Sequence, residues 1–300
     1  MQQRLDFRTA FLLTVPPLLW AGNAVTGRLV ADLVPPMTLN LLRWLLAFVL
    51  LLPLAGWVLR PGSVLWPHWK RFTVLGLLGV GCYNALQYLA LQTSTPLNVT
   101  LVAASSPAWM LGIGALWFGQ RITARQVAGA VLSIGGVLVV LSRGDWDLLL
   151  QVRLVPGDLY VLLATAAWAL YSWLLIRPGD PTQIRSDWAA FVMAQVVFGL
   201  GWSALFAAGE WALAPASQIR WGWPLAAALL YIAVGPAILA YRCWGLGVQR
   251  AGPNMAGFFA NLTPLFAAVM SAAFLGELPR VYHAVAFALI VGGIFVSARK

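Results

Sequence analysis

Apolar residues come in long runs along this chain, separated by short stretches where Arg, Asp, Gly and Pro gather. One helix needs about 20 apolar residues to cross a bilayer. The predicted spans cover about 10–31, 38–58, 72–92, 97–118, 124–142, 158–176, 187–208, 223–246, 253–275 and 281–298, ten in all. The short connections make consecutive spans antiparallel neighbours. A basic stretch, Arg60–Arg71, follows span 2, and a polar one, Arg143–Pro156 with Asp145, Asp147 and Arg153, separates the halves. The organisation is then a first half over 1–143, a connection over 144–157 and a second half over 158–300. Glu210–Gly222 reads as a loop rich in Ala, Pro and Trp, with Trp211, Trp221 and Trp223 as membrane-interface anchors. Many apolar runs follow the first, so that run is a spanning helix and not a cleaved leader.

The two halves repeat one another. Leu91–Arg143 and Val248–Lys300 align without a gap at a shift of 157 positions. They share Gln92/Gln249, Pro96/Pro253, Ala103/Ala260, Pro107/Pro264, Ala115/Ala272, Gly119/Gly276, Leu132/Leu289, Gly135/Gly292, Gly136/Gly293 and Val139/Val296. The shared Pro and Gly positions carry the weight, because those residues mark bends and close backbone approach. Leu18–Gly22 also lies over Ala166–Leu170, which matches Trp20 with Trp168. Internal duplication follows.

Composition sharpens this. At 61% hydrophobic and 9% charged, with a mean hydropathy of +0.82, the chain departs from soluble domains, where about 25% of residues are charged. An all-α polytopic membrane protein is the fold class expected. The net charge of +10 does not point to nucleic acid, since the basic residues are dispersed between apolar segments. Cys82 and Cys243 both fall inside apolar runs and provide neither a disulfide framework nor a metal site.

Thirteen Lys and Arg residues collect on one side of the ten-span arrangement, among them Arg4, Arg299 and Lys300, and five on the other. The positive-inside rule then places both termini in the cytoplasm. Five spans per half make the second copy run in the opposite sense, so the repeats are inverted, a recurrent plan of secondary transporters.

Four stretches carry a resemblance. They are LLWAGNAV at Leu18–Val25, LNLLRWLLA at Leu39–Ala47, the YLALQTSTPLNVTLVAASSPAWM run from Tyr88, and GELPRV followed by IVGG between Gly276 and Gly293. In these and in its five-plus-five order the chain resembles the EamA-type branch of the drug/metabolite transporter superfamily. It is similar to the aromatic-amino-acid exporters within that branch. The resemblance implies a ten-helix carrier with cytoplasmic termini, a central cavity between the halves, and export of small metabolites. One departure stands out: the branch commonly repeats a Gly-Glu pair, and here Gly276–Glu277 faces Gly119–Gln120.

Candidate binding residues are the amides and aromatics inside the spans, because a zwitterion needs a few polar partners and an apolar wall. They are Trp20 and Asn23 in span 1, Tyr83, Gln87 and Tyr88 in span 3, and Asn98 in span 4. Trp168 and Tyr171 in span 6, Trp244 in span 8 and Asn261 in span 9 complete the set. The alternatives for these are bundle packing for the aromatics and helix–helix hydrogen bonds for the amides. Two charged candidates join them. Arg43 can orient a substrate carboxylate, pair with Asp32 or backbone carbonyls, or snorkel to the headgroups; Arg242 can snorkel or bind substrate. Pro107 and Pro264 lie inside spans 4 and 9 and are hinge or gating candidates.

No acidic residue lies mid-span by these boundaries, so transport without proton coupling is expected. The leading expectation is a carrier exporting amino acids, aromatic ones included, by alternating access from the bacterial inner membrane. A proton-coupled multidrug, nucleoside or sugar-phosphate transporter is the alternative, and a non-transporting scaffold or receptor is the alternative of another class. No catalytic motif, metal site or cofactor is expected. The expected partners are the small-molecule substrate and membrane lipid, with the chain monomeric or weakly dimeric.

Overall fold

The computed structural model describes residues 5–90, 93–94, 96–214, 218–275 and 280–298. Gln92, Gly276, Glu277, Arg4, Arg299 and Lys300 lie outside the described residues. The described residues are helical, without strands. In order the helices are α1 (Phe7–Leu29), α2 (Pro36–Ala55), α3 (Trp69–Leu75), α4 (Tyr83–Ala90), α5 (Pro96–Ala103), α6 (Ser106–Phe118), α7 (Ala124–Ser142) and α8 (Asp147–Leu150). After them come α9 (Pro156–Ile176), α10 (Thr182–Ser186), α11 (Trp188–Leu213), α12 (Trp223–Ile232), α13 (Ala240–Ala251), α14 (Pro253–Ala260), α15 (Leu262–Leu275) and α16 (Val281–Ala298). Among the described residues, nine helical stretches are long and apolar enough to cross a membrane.

Two compact units emerge. The first takes Met1–Gly22, Ala90–Ile176 and Cys243–Lys300, and the second takes Asn23–Leu89 and Arg177–Arg242. Each draws on both sequence repeats.

In the first unit, α7 and α16 pack with their backbones nearly touching. A Cβ on Gly129 would come within 2.7 Å of the Gly293 carbonyl, and one on Gly136 within 2.9 Å of the Ala286 carbonyl. The pairs 129:293 and 136:286 run in opposite directions, so the two helices are antiparallel. The same shift of 157 carries Gly136 onto Gly293 and Gly129 onto Ala286. Equivalent residues therefore make equivalent contacts. By contrast, Gly135 and Gly292 face open space.

Spans 4 and 9 are each interrupted, against the expectation of continuous helices. The first breaks at Ala104–Ser105, between α5 and α6, and the second at Asn261, between α14 and α15. Pro107 and Pro264 do not sit at mid-helix: each lies in the first turn after its break, where a missing N–H leaves no gap in the ladder. The carbonyls that the prolines cannot serve are those of Ala103 and Ala260. The Ser106 hydroxyl donates to one and the Thr263 hydroxyl to the other, both at 2.8 Å. At the breaks themselves, the Asn261 Nδ2 donates to the Ala104 carbonyl at 3.3 Å, across 157 positions of chain.

The second unit holds a matching pair of irregularities. Spans 3 and 8 widen into π-helical turns over Gly76–Cys82 and Ala233–Leu239. These ranges too are 157 apart. The first packs on α11, where a Cβ on Gly76 would meet the Gln195 carbonyl and the Gly199 nitrogen at 2.7 Å.

The Glu210–Gly222 loop begins later than expected, because α11 continues to Leu213. The Glu210 carboxylate accepts hydrogen bonds from the Met37 and Thr38 N–H groups at 2.9 Å and from the Thr38 hydroxyl. It thereby serves the first turn of α2, whose own cap residue, Pro35, has no side-chain cap bond. Trp211 is no free interface anchor either: its indole donates to Thr38 Oγ1 at 2.8 Å. Trp221 and Trp223 are exposed, as expected of anchors.

Candidate functional site

The sequence candidates divide between the two units. Trp20, Asn98, Trp168, Tyr171, Trp244 and Asn261 belong to the first, and Asn23, Arg43, Tyr83, Gln87, Tyr88 and Arg242 to the second.

In the first unit three tryptophans meet. Trp20 contacts Trp168 edge-on with ring centroids 5.2 Å apart and lies 5.3 Å from Trp244, while Trp168 and Trp244 are 5.4 Å apart. Tyr171 stands 4.9 Å from Trp168. The two repeat-matched tryptophans, Trp20 and Trp168, thus form one contact. Trp168 and Trp244 are buried, and Trp20 is half-buried. The Trp244 indole donates to Ser172 Oγ at 3.0 Å, and that hydroxyl donates to the Trp168 carbonyl. Sequence reasoning missed Ser172, though it lies four residues past Trp168 on the same helical face.

Asn98 and Asn261 of this unit are engaged with the chain itself. Asn98 Nδ2 donates to the Arg153 carbonyl at 2.8 Å and to Asp158 Oδ2 at 3.0 Å. The Asp158 carboxylate also accepts from the Ser94 hydroxyl and the Val155 N–H, which lets it lie buried at the start of α9. Asn261 spends its Nδ2 on Ser133 Oγ at 3.0 Å as well as on Ala104. Ser94, Ser133 and Asp158 had no signal in the sequence beyond their polarity.

The second unit differs. Arg43 on α2 is only 1% exposed, so it does not snorkel. Its Nε and Nη1 atoms have no hydrogen-bond partner among the described residues. Asp32 is exposed and does not pair with it. The guanidinium lies 5.2 Å from the Trp44 ring centre, and that ring meets Tyr241 edge-on at 4.9 Å. The Tyr241 hydroxyl donates to the Gly79 carbonyl inside the π-helical turn and lies within electrostatic reach of Arg43 and Tyr83. Tyr83 and Gln87 hydrogen-bond through their side chains. Asn23 Oδ1, Asn40 Oδ1, the Trp44 indole nitrogen and the Tyr88 hydroxyl are also buried without partners among the described residues. Trp44 is the residue that sequence reasoning overlooked; an Arg-Trp pair inside an apolar run was its signal. Arg242 stands apart from this group: it is exposed and stacks over the Trp188 ring at 4.4 Å. Among the described residues no cluster of His, Cys, Asp and Glu could hold a metal ion.

Apolar helices of spanning length, broken at related places, define a multi-pass membrane protein of the transporter class. The model of the EamA-like transporter family matches residues 7–142 and again 155–299, and the chain belongs to that family. An uncharacterized transporter of Archaeoglobus fulgidus is 26% identical over 99% of each chain. The aromatic amino acid exporter YddG of Ancylobacter novellus is 27% identical over 77% of this chain and 76% of its own. A solved crystal structure superposes with a TM-score of 0.70 at 23% identity, covering 96% of this chain and 95% of that one, a likeness of fold alone.

Proposed function

We propose that the chain exports amino acids by alternating access. In this reading it is built as ten spans in two inverted five-helix repeats, with α14 and α15 together forming the interrupted ninth span. Both termini lie in the cytoplasm, and the membrane is the bacterial inner membrane. The observation that carries the proposal is the pairing of irregularities: breaks at Ala104 and Asn261, and π-helical turns at Gly76–Cys82 and Ala233–Leu239. Each member recurs 157 residues on. Discontinuous spans at matching places in two repeats are how secondary transporters form sites that open alternately to each face. A static helical scaffold has no use for interrupting the same helices twice.

The choice of amino acids rests on the relatives and on chemistry. One relative is named for aromatic amino acid export. The Trp20, Trp168, Trp244 and Tyr171 cluster supplies aromatic surface of the kind that favours such side chains. Proton coupling is not part of this reading, because the buried carboxylate Asp158 is held in place by hydrogen-bond donors of the chain itself. Counterflow tests the proposal: proteoliposomes of purified protein, preloaded with one amino acid, are offered labelled amino acids, nucleosides and sugar phosphates. Amino acids should accumulate transiently, and do so after the proton gradient is collapsed. Accumulation of nucleosides or sugar phosphates alone would replace this reading.

A further inference from the structure

The second unit buries a positive charge that meets no counter-charge among the described residues. Its acidic residues are Asp32, Asp180, Asp187 and Glu210. Asp32 is exposed, Asp180 is held by Arg71 and Arg185 at 2.5 and 2.7 Å, Asp187 caps α11, and Glu210 serves the first turn of α2. None is left for Arg43. A guanidinium this deep in a membrane protein is costly unless it is paired and hydrogen-bonded, and the Trp44 ring face offers only partial compensation.

We propose that Arg43 anchors the carboxylate of the transported molecule, so that the second unit binds small monocarboxylates. This rests on the transport reading above and names the headgroup it selects. A guanidinium presents a planar fork of donors that matches a carboxylate in two parallel hydrogen bonds. The Nε atom, one donor of that fork, has no hydrogen-bond partner among the described residues. Tyr241 is fixed by its bond to Gly79, and Trp44 packs against Tyr241, so the walls beside the guanidinium are ordered before a ligand arrives. The carboxylate supplies the counter-charge that the fold omits. An analogue lacking it leaves the guanidinium bare, and sites of this kind reject such analogues strongly.

The test uses L-phenylalanine and L-tryptophan against phenethylamine and tryptamine, the same molecules without the carboxylate. In proteoliposomes the wild type should prefer the amino acids by about 10- to 100-fold, the strength of charge-assisted hydrogen bonds. Arg43→Met should lose that preference. The purified, ligand-free Arg43→Met protein should melt higher than wild type, because an apolar chain replaces an unpaired buried charge. The two amino acids should raise the melting temperature of the wild type only. A purely structural arginine predicts the opposite: a lower melting temperature with the preference intact, which overturns the proposal. Should Arg43→Met not accumulate, Arg43→Lys keeps the charge without the fork; a weakened preference supports the anchor and an unchanged one overturns it. If the wild type moves none of the four probes, the transport reading fails. The anchor fails with it only if the amino acids also leave the wild-type melting temperature unchanged.

Discussion

The two units handle buried polarity in opposite ways. In the first, Asn98, Asp158 and Ser94 satisfy one another, Trp244 is met by Ser172, and Asn261 bridges to Ser133 and Ala104. In the second, Arg43, Asn23, Asn40, Trp44 and Tyr88 all bury atoms without partners among the described residues. The contrast is not absolute, since Asn254 Oδ1 in the first unit is also unpartnered. Buried polar groups are ordinarily hydrogen-bonded, and each exception asks for a cause. The difference teaches that the first unit spends most of its buried polar side chains on its own backbone and side chains, whereas the second leaves more of them unmatched among the described residues.

Substitutions can break this contrast. The largest loss is expected in the first unit from Trp168→Ala, which empties a buried ring from the tryptophan cluster. It should cost about 3–5 kcal/mol of stability in thermal unfolding. Next come the helix contacts. Gly293→Val drives a side chain into the Gly129 carbonyl, 2.6 Å from its first carbon, and should destabilise by about 1–3 kcal/mol. Gly292→Val points into open space and should change stability by only about 0.5 kcal/mol.

A matched pair of asparagines sharpens the comparison further. Asn98→Leu removes one of the three donors to the Asp158 carboxylate and should cost about 2 kcal/mol in the same melts. Asn23→Leu removes an oxygen that has no partner among the described residues and should leave the melting temperature within error, lowering transport instead. Equal destabilisation by both would erase the distinction between the units.

The smallest effect concerns pH. Asp6 caps α1, and the Thr9 hydroxyl and N–H hold its carboxyl below the usual carboxylate range. Because the folded value is the lower one, its contribution is present above the unfolded value of about 3.9. It fades as pH falls through the folded value. A wild-type advantage over Asp6→Asn at neutral pH should therefore shrink in melts run at increasing acidity.

Much of this fold was legible in the chain. Spans 5 and 10 run over 124–142 and 281–298 in sequence and in structure alike, because apolar length and Gly-rich packing faces are local properties. The duplication was legible through its Pro and Gly residues. The interruptions were not. Apolar composition continues through Ala104 and up to Asn261 on both sides, and the proline three residues further on drew attention away from the break itself. Glu210 read as loop because its neighbours are Ala, Pro and Trp, while its role depends on reaching the distant first turn of α2. The candidate residues were legible as residue types only. Whether an asparagine is spent, as Asn98 is, or keeps an oxygen unpartnered, as Asn23 does, is decided by segments far away in sequence.

Hydrogen–deuterium exchange with and without the amino acid that counterflow ranks first tests the central claim most directly. If ligand completes the second unit, protection should rise most in Pro36–Ala55 and in the turns Gly76–Cys82 and Ala233–Leu239. Protection confined to the first unit, with these three segments unchanged, would contradict the account.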